Sequence, residues 1–418
     1  MSHGETRPAR NARALDLVNF FIADVQTGFG PFIAVYLTAN KWTQGQIGLA
    51  LTLGTVVALI SQLPAGALVD SASNKRVAAG GAILGVMAAA LLLASWPRQL
   101  PVSIAQTLHA FSSCVLTPAI AAISLHLVGH AALGERLGRN ARFASLGNGL
   151  TAAVMGATGS YLSSRSVFIL TAALCVPALF ALASIGRGEH AREQTTKTPF
   201  DWPGLRELFS DRRLLIFGLC VVLFHLSNAA MLPLLGATVT MRAGSVANVI
   251  IAACIMVPQG VVALCSPAVG RYAASMGRRP VLLLGWGALP VRGLLLAVLP
   301  GAWLPVAAQA VSGVSGAVFG VMLPLLAADI TRGTSHFNLC LGALGLAVSL
   351  GGGLSTAFGG WIADQAGTPM AFVALAVVGA LATLVLWLLM PETNQDSATG
   401  DQSRTGSPTR PPPAAGSV

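Results

Sequence analysis

Long apolar blocks fill this chain from about Leu15 to about Pro391, and short polar segments, most of them basic, separate them. Thr43 to Val69, Val77 to Ser95, Phe143 to Ser164, Val246 to Gly270, Phe337 to Ala363 and Gln365 to Pro391 contain no Asp, Glu, Lys or Arg. A helix rises about 1.5 Å per residue, so about 20 apolar residues cross the hydrocarbon layer of a bilayer. The pattern predicts twelve crossings, at 15–38, 46–69, 77–95, 101–126, 143–163, 167–186, 214–239, 247–270, 280–298, 304–328, 338–362 and 370–390. Helices are expected because backbone groups facing lipid must be bonded within their own segment, and no ten-residue alternation suggests a barrel.

Charge then sets an orientation. Of the 25 Lys and Arg residues, 20 fall on the side that also holds both termini. Four, Lys41, Arg98, Arg165 and Arg242, fall on the other, and Arg292 lies within a span. A bias of this size places both termini in the cytoplasm and the protein in an inner or plasma membrane. The formal charge of +10 therefore reflects topology and contact with anionic headgroups. No soluble domain presents the basic residues to nucleic acid, so nucleic acid is not an expected partner. Only 10% of residues are charged and 54% are hydrophobic, with a mean hydropathy of +0.71. Met1 to Arg13 opens into a full-length span and not into a small-residue cleavage site, which argues against a removable signal peptide. All six cysteines lie inside spans without disulfide or metal spacing, and read as small packing residues.

Self-comparison divides the chain in two. Gly30-Pro31 in helix one answers to Leu232-Pro233 in helix seven at an offset of 202. Gly66 and Gly270, ending helices two and eight, are 204 apart. Pro118 and Pro324, in helices four and ten, are 206 apart, and Gly159 and Gly359, in five and eleven, are 200 apart. Four matches in order at nearly one offset imply a duplicated six-helix unit. The units are residues 1–186 and 214–390, joined by a polar linker at 187–213 with a short surface helix from Trp202 to Phe209. A Ser, Thr, Gly and Pro-rich tail, 391–418, is expected to be disordered and cytoplasmic.

The loop after helix two reads Gly66-Ala67-Leu68-Val69-Asp70-Ser71-Ala72-Ser73-Asn74-Lys75-Arg76. It resembles the signature loop of the major facilitator superfamily, and Gly270 to Arg279, with Gly277, Arg278 and Arg279, resembles the signature's second copy. The resemblance implies an all-α membrane protein of 12 transmembrane helices in two pseudo-symmetric six-helix bundles, rocking around a central site. It also implies a cytoplasmic latch carried by Gly66, Asp70, Lys75 and Arg76. Physically, Gly66 lets two helices approach closely. Asp70 lies where it could cap a neighbouring helix N-terminus or pair with Lys75, Arg76 or another Arg. Ser71 stands where the family has a basic residue, Ser73 where it has a glycine, and Ala274 where the second copy would have its aspartate, so the latch should be asymmetric.

Polar residues within the spans are the candidate pathway. Asp24, near the middle of helix one, costs about 2.5–3.5 kcal/mol to place there, which marks an ion or substrate path. Aligning Pro31 with Pro233 sets Gln26 opposite Asn228, with His225 one position from the slot of Asp24. In helix four, Gln106 falls where many drug and proton antiporters of the superfamily carry an arginine, and His109 falls in their glutamine slot, offering a titratable substitute. Gly147, Gly156 and Gly159 keep the spacing of the antiporter glycine motif in helix five, without its Gly-Pro pair. Arg292, deep in helix nine, reads either as a peripheral residue snorkelling outward or as a counter-charge to an acid or an anionic substrate. Arg136, Arg139, Arg142, Asp329, Arg332 and His336 read as gate or topology elements.

The expected function is alternating-access transport, with proton-coupled efflux of a small, partly apolar compound first. Asp24 would be the proton site, His109 and His225 secondary polar groups, and Gln26 and Asn228 hydrogen-bonding groups for substrate. Import of a small metabolite, with Arg292 reading an anion, is the alternative, and a non-transporting receptor or scaffold is a remote one. No nucleophile and base grouping, metal-ligand spacing or phosphate loop suggests an enzyme or a cofactor. The expected partners are a small-molecule substrate, protons and the lipid bilayer, and no oligomer is implied.

Overall fold

A computed structural model of the chain describes residues 7–27, 33, 36–37, 39–186, 202–243, 247–298, 301 and 303–393. Among these, fourteen helices follow in chain order. The first seven are α1 (Arg7–Thr27), α2 (Gln44–Ser71), α3 (Lys75–Ser95), α4 (Gln99–Val128), α5 (Leu133–Tyr161), α6 (Ser164–Ser184) and α7 (Trp202–Ser210). The second seven are α8 (Arg212–Asn228), α9 (Met231–Ala243), α10 (Ala247–Ser275), α11 (Arg278–Val298), α12 (Leu304–Ile330), α13 (Phe337–Ala366) and α14 (Thr368–Leu389). The expected linker helix is α7, and the tail beyond Thr393 lies outside the described residues.

Ten of these segments, with α8 and the start of α9 counted as one, are long and apolar enough to cross a membrane. The remaining two expected crossings are α1 and α5. Both open on charge: Arg10, Arg13 and Asp16 in one, Glu135, Arg136, Arg139 and Arg142 in the other. Outward-facing Ile60, Leu264 and Val298 are each more than two-thirds exposed, a surface suited to lipid and not to water. The six cysteines are free, and all but the half-buried Cys265 are buried.

Three boundaries differ from the sequence pattern. Helix one begins at Arg7, eight residues before the expected 15. Helix five begins at Leu133, ten residues before the expected 143, because its charged first turns find partners inside the protein and do not form a loop. Helix seven is broken. α8 stops at Asn228, Ala229 and Ala230 form a turn, and α9 starts at Met231. Pro233 has no N–H to offer the carbonyl four residues earlier, and the Ala230 N–H leaves the helix to donate to Ser355 Oγ at 2.9 Å.

Several helices begin on local caps. Thr43 and Gln46 form a reciprocal capping box on α2, while Asn74, Ser163 and Asp211 cap α3, α6 and α8. Others begin without one: α4, α5, α12, α13 and α14 have no side-chain cap, and at α13 the residue in that place is His336.

Packing follows the repeat. In the N-terminal half, α1 lies on α5 and α6, α2 on α4, and α3 on α4 and α6. In the C-terminal half, α8 lies on α13 and α14, α10 on α12, and α11 on α12 and α14. Two seams join the halves, α2 with α13 and α5 with α10. At the end carrying Asp70, one apolar cluster runs through both halves, from Ala67, Ala121, Leu125, Leu133 and Leu137 to Leu325, Leu339 and Leu341. Toward the other end the halves part: Gly134 and Gly138 touch the opposite half, whereas Gly149 and Gly260 have open space around them.

Candidate functional site: a cavity between the halves and its seal

Above the sealed end lies a cavity of about 700 Å³, walled by α2, α4, α12 and α13. Its polar side chains include Gln62, Gln106, His109, Ser113, Thr117 and Ser349, set among apolar residues. Gln106 is buried and donates to the Ala50 carbonyl at 3.3 Å. His109 Nε2 lies 3.4 Å from Ser113 Oγ, one helical turn on. A second lobe of about 490 Å³ lies among α1, α4, α5, α10 and α12, and presents the carboxamides of Asn19, Asn140, Asn148 and Gln259. Thr117, Phe319, Leu323 and Leu341 line both lobes and form the ridge between them. Among the described residues lining the two lobes there is no Asp, Glu, Lys or Arg. The volumes suit a small organic molecule.

The seal is built around Asp70. Its Oδ1 accepts from the Asn338 backbone N–H at 3.0 Å and from Asn338 Nδ2 at 2.6 Å, and its Oδ2 accepts from the Leu339 N–H at 2.7 Å. Thus α13 takes its missing cap from the opposite half. A carboxylate on orphan N–H groups at a helix start is favoured by hydrogen bonding and by the helix dipole together. Gly66, one turn earlier on α2, has no room for a side chain, since a Cβ there would overlap the Asn338 carbonyl. In the other seam a Cβ at Gly270 would overlap the Gly134 carbonyl.

The basic residues of the two loops reach within their own halves. Lys75 Nζ donates to the Val69 and Asp70 carbonyls at 2.8 and 2.9 Å, closing the end of α2. Arg76 reaches the Ile185 carbonyl after α6, and Arg279 reaches the Trp387 carbonyl in α14. Arg278 forms a buried ion pair with Asp329 at 2.9 Å. Gly277 holds the loop's left-handed turn at φ +94°, beside Glu392, which accepts from the N–H groups of Arg278 and Arg279.

The family model of the Major Facilitator Superfamily matches residues 15–262 and 244–415. The chain belongs to the Major Facilitator Superfamily. Two uncharacterized MFS-type transporters of Mycobacterium tuberculosis, from strains CDC 1551 and H37Rv, are each 35% identical over 398 residues, covering 92% of this chain and 94% of their own. The class C tetracycline resistance protein of Escherichia coli is 33% identical over 138 residues, 32% of this chain and 33% of its own. Among solved structures, the human organic anion transporter MFSD10 (TETRAN) superposes with a TM-score of 0.73 at 13% identity, covering 91% of this chain and 100% of its own.

The remaining pathway candidates of this facilitator protein scatter. Asp24 and Gln26 belong to α1, but their side chains lie outside the described residues, as do Gly28 and Pro31. His109 lines the larger lobe. His225 lines neither. It sits behind the wall, with its ring edge-on to Phe319 at 4.8 Å and its buried Nε2 lacking a hydrogen-bond partner among the described residues. Asn228 is also absent from the lining, and its Oδ1 is taken by Arg292 Nη1 at 2.5 Å. Arg292 corrects the snorkelling expectation: it is 2% exposed, because α11 turns this face toward α8 and α12 and not toward lipid.

Two features escaped the sequence reading. Phe319, the ring shared by both lobes, looks like one more apolar residue in an apolar helix. Asp16 of α1 pairs with Arg136 and Arg139 of α5, with Arg139 Nε 2.9 Å from Oδ2. Arg136 also donates to Asn140 at 2.8 Å, which ties this ion pair to the smaller lobe. The i, i+3 spacing of Arg136 and Arg139 was the available signal for an acidic partner.

Proposed function

We propose that this transporter exports a small, weakly polar, partly apolar compound by proton-coupled alternating access across the cytoplasmic membrane. The observation that carries the reading is the larger lobe. Its described residues offer hydrogen-bonding amides and hydroxyls and no fixed charge, and an ionisable side chain, His109, stands in its wall. Such a lining favours an uncharged or weakly charged guest over a strongly ionic one, whose desolvation nothing there would offset. The partial relative among tetracycline resistance proteins supports export. In this reading the units 1–186 and 214–390 rock about the linker 187–213, and the Asp70 end faces the cytoplasm, as the distribution of Lys and Arg favours. Asp24, in the same helix as Asn19 of the smaller lobe, is the primary proton site.

Proteoliposomes with an imposed pH gradient test this, with tetracycline as the first probe. The wild type should move the probe against the proton flux, and Asp24→Asn should lower gradient-driven transport at least tenfold while leaving probe binding in place. His109→Gln should lower it less. Wild-type rates in Asp24→Asn would remove the proton-site assignment, and movement with the proton flux would reverse the direction.

A further inference from the structure

Arg292 is buried in the C-terminal half, and no carboxylate pairs with it among the described residues. Its Nη1 and Nη2 donate to two carboxamide oxygens, Asn228 Oδ1 at 2.5 Å and Gln309 Oε1 at 3.0 Å, while its Nε–H has no acceptor among those residues. Gln309 is 1% exposed, and its Nε2 likewise lacks an acceptor. An ion taken this far from water costs several kcal/mol unless an opposite charge answers it. Two neutral amides supply dipoles and no such charge.

The bond from Nη2 to Gln309 Oε1 sets the free Nε2 of the same carboxamide beside the guanidinium, so two unanswered N–H donors share one part of the membrane interior. Asn228, Arg292 and Gln309 are not among the described residues lining either lobe of the cavity.

We propose that this spot is a binding site for one compact monovalent anion, a halide or the carboxylate group of a small ligand, held by Arg292 Nε and Gln309 Nε2. The anion neutralises the buried guanidinium and fastens α11 to α12. The site does not depend on the direction or coupling of transport.

Purified protein in a chloride-free sulfate buffer, titrated with sodium bromide or sodium acetate at constant ionic strength, tests the site. Thermal unfolding is followed through tryptophan emission, to which Trp286, about one and a half turns from Arg292 on α11, contributes. At least one anion should raise the midpoint by a few degrees, saturably, in the wild type and not in Arg292→Gln. Saturation by bromide assigns the site to a free inorganic ion, and saturation by acetate alone assigns it to a carboxylate-bearing ligand. Gln309→Leu keeps the guanidinium and should weaken the effective anion about tenfold, which decides the matter if Arg292→Gln does not fold. A flat wild-type response to both salts, an unchanged response in Arg292→Gln, or an unchanged affinity in Gln309→Leu overturns the proposal.

Discussion

The two seams that join the halves use the same steric device and different electrostatics. In each, small residues let backbones touch: Gly66 meets the Asn338 carbonyl in one, and Gly270 and Gly134 meet each other's carbonyls in the other. In each, the helix entering the contact lacks a side-chain cap of its own, His336 giving none to α13 and Ala132 none to α5. Among the described residues, only the α2–α13 seam answers with a carboxylate from the opposite half. At the matching place in the α5–α10 seam stands Ala274, exposed. Close packing was therefore kept in both copies of the repeat, and the charged contact in one. Shape fixes where the halves meet, and charge decides which seam holds harder.

The steric element should give the largest effect. Gly270→Val drives a side chain into the Gly134 backbone, and overpacking of this kind costs about 1–3 kcal/mol. The conformer sealed at the Asp70 end should fall roughly tenfold to a hundredfold. A cysteine introduced at Ser113, in the larger lobe, reports this when an impermeant maleimide is applied from the Asp70 side to protein cleared of its native cysteines. Labelling should rise by that factor, and unchanged labelling would mean that this seam is no barrier.

Asp70→Asn comes next. It leaves one acceptor oxygen where the carboxylate has two, turns an NH₂ toward a backbone N–H in place of the other, and removes the charge that makes the cap strong, at about 1–2 kcal/mol. The same assay should show labelling increased roughly tenfold. A change of less than twofold would reduce Asp70 to a neutral hydrogen bonder and erase the difference between the seams.

Much of this arrangement was legible in the chain. Hydropathy marked the helices, and the repeat at an offset of 204 paired Gly66 with Gly270, the two positions where backbones touch across the halves. The Asp70 loop was recognisable by its residue types, and its helix-capping partner was among the options those types allow. What the sequence withheld depends on neighbours far along the chain. Pro233 served only to align helix seven with helix one, and the break there is completed by Ser355, 125 positions away from Ala230. The facing of Arg292 is decided by Asn228 and Gln309, which lie on two other helices. Asp16 was not singled out, because its partners, Arg136 and Arg139, look like loop residues until a fold brings α5 against α1.

The smallest expected effect is also the one that isolates charge from shape. Ala274→Asp installs in the second seam the carboxylate that Asp70 supplies to the first, without altering a glycine contact. An exposed acid near the start of α5 should add about 0.3–1 kcal/mol, so maleimide labelling at Ser113 should fall roughly twofold to fivefold. Turnover should slow by a similar factor wherever opening of the Asp70 end limits the cycle. Combined with Asp70→Asn, it should recover part of the lost seal, because a charge on either seam opposes the same separation of the halves. No recovery in the double variant would show that the seams open independently, and that the asymmetry matters for the order in which they part as well as for how tightly each is held.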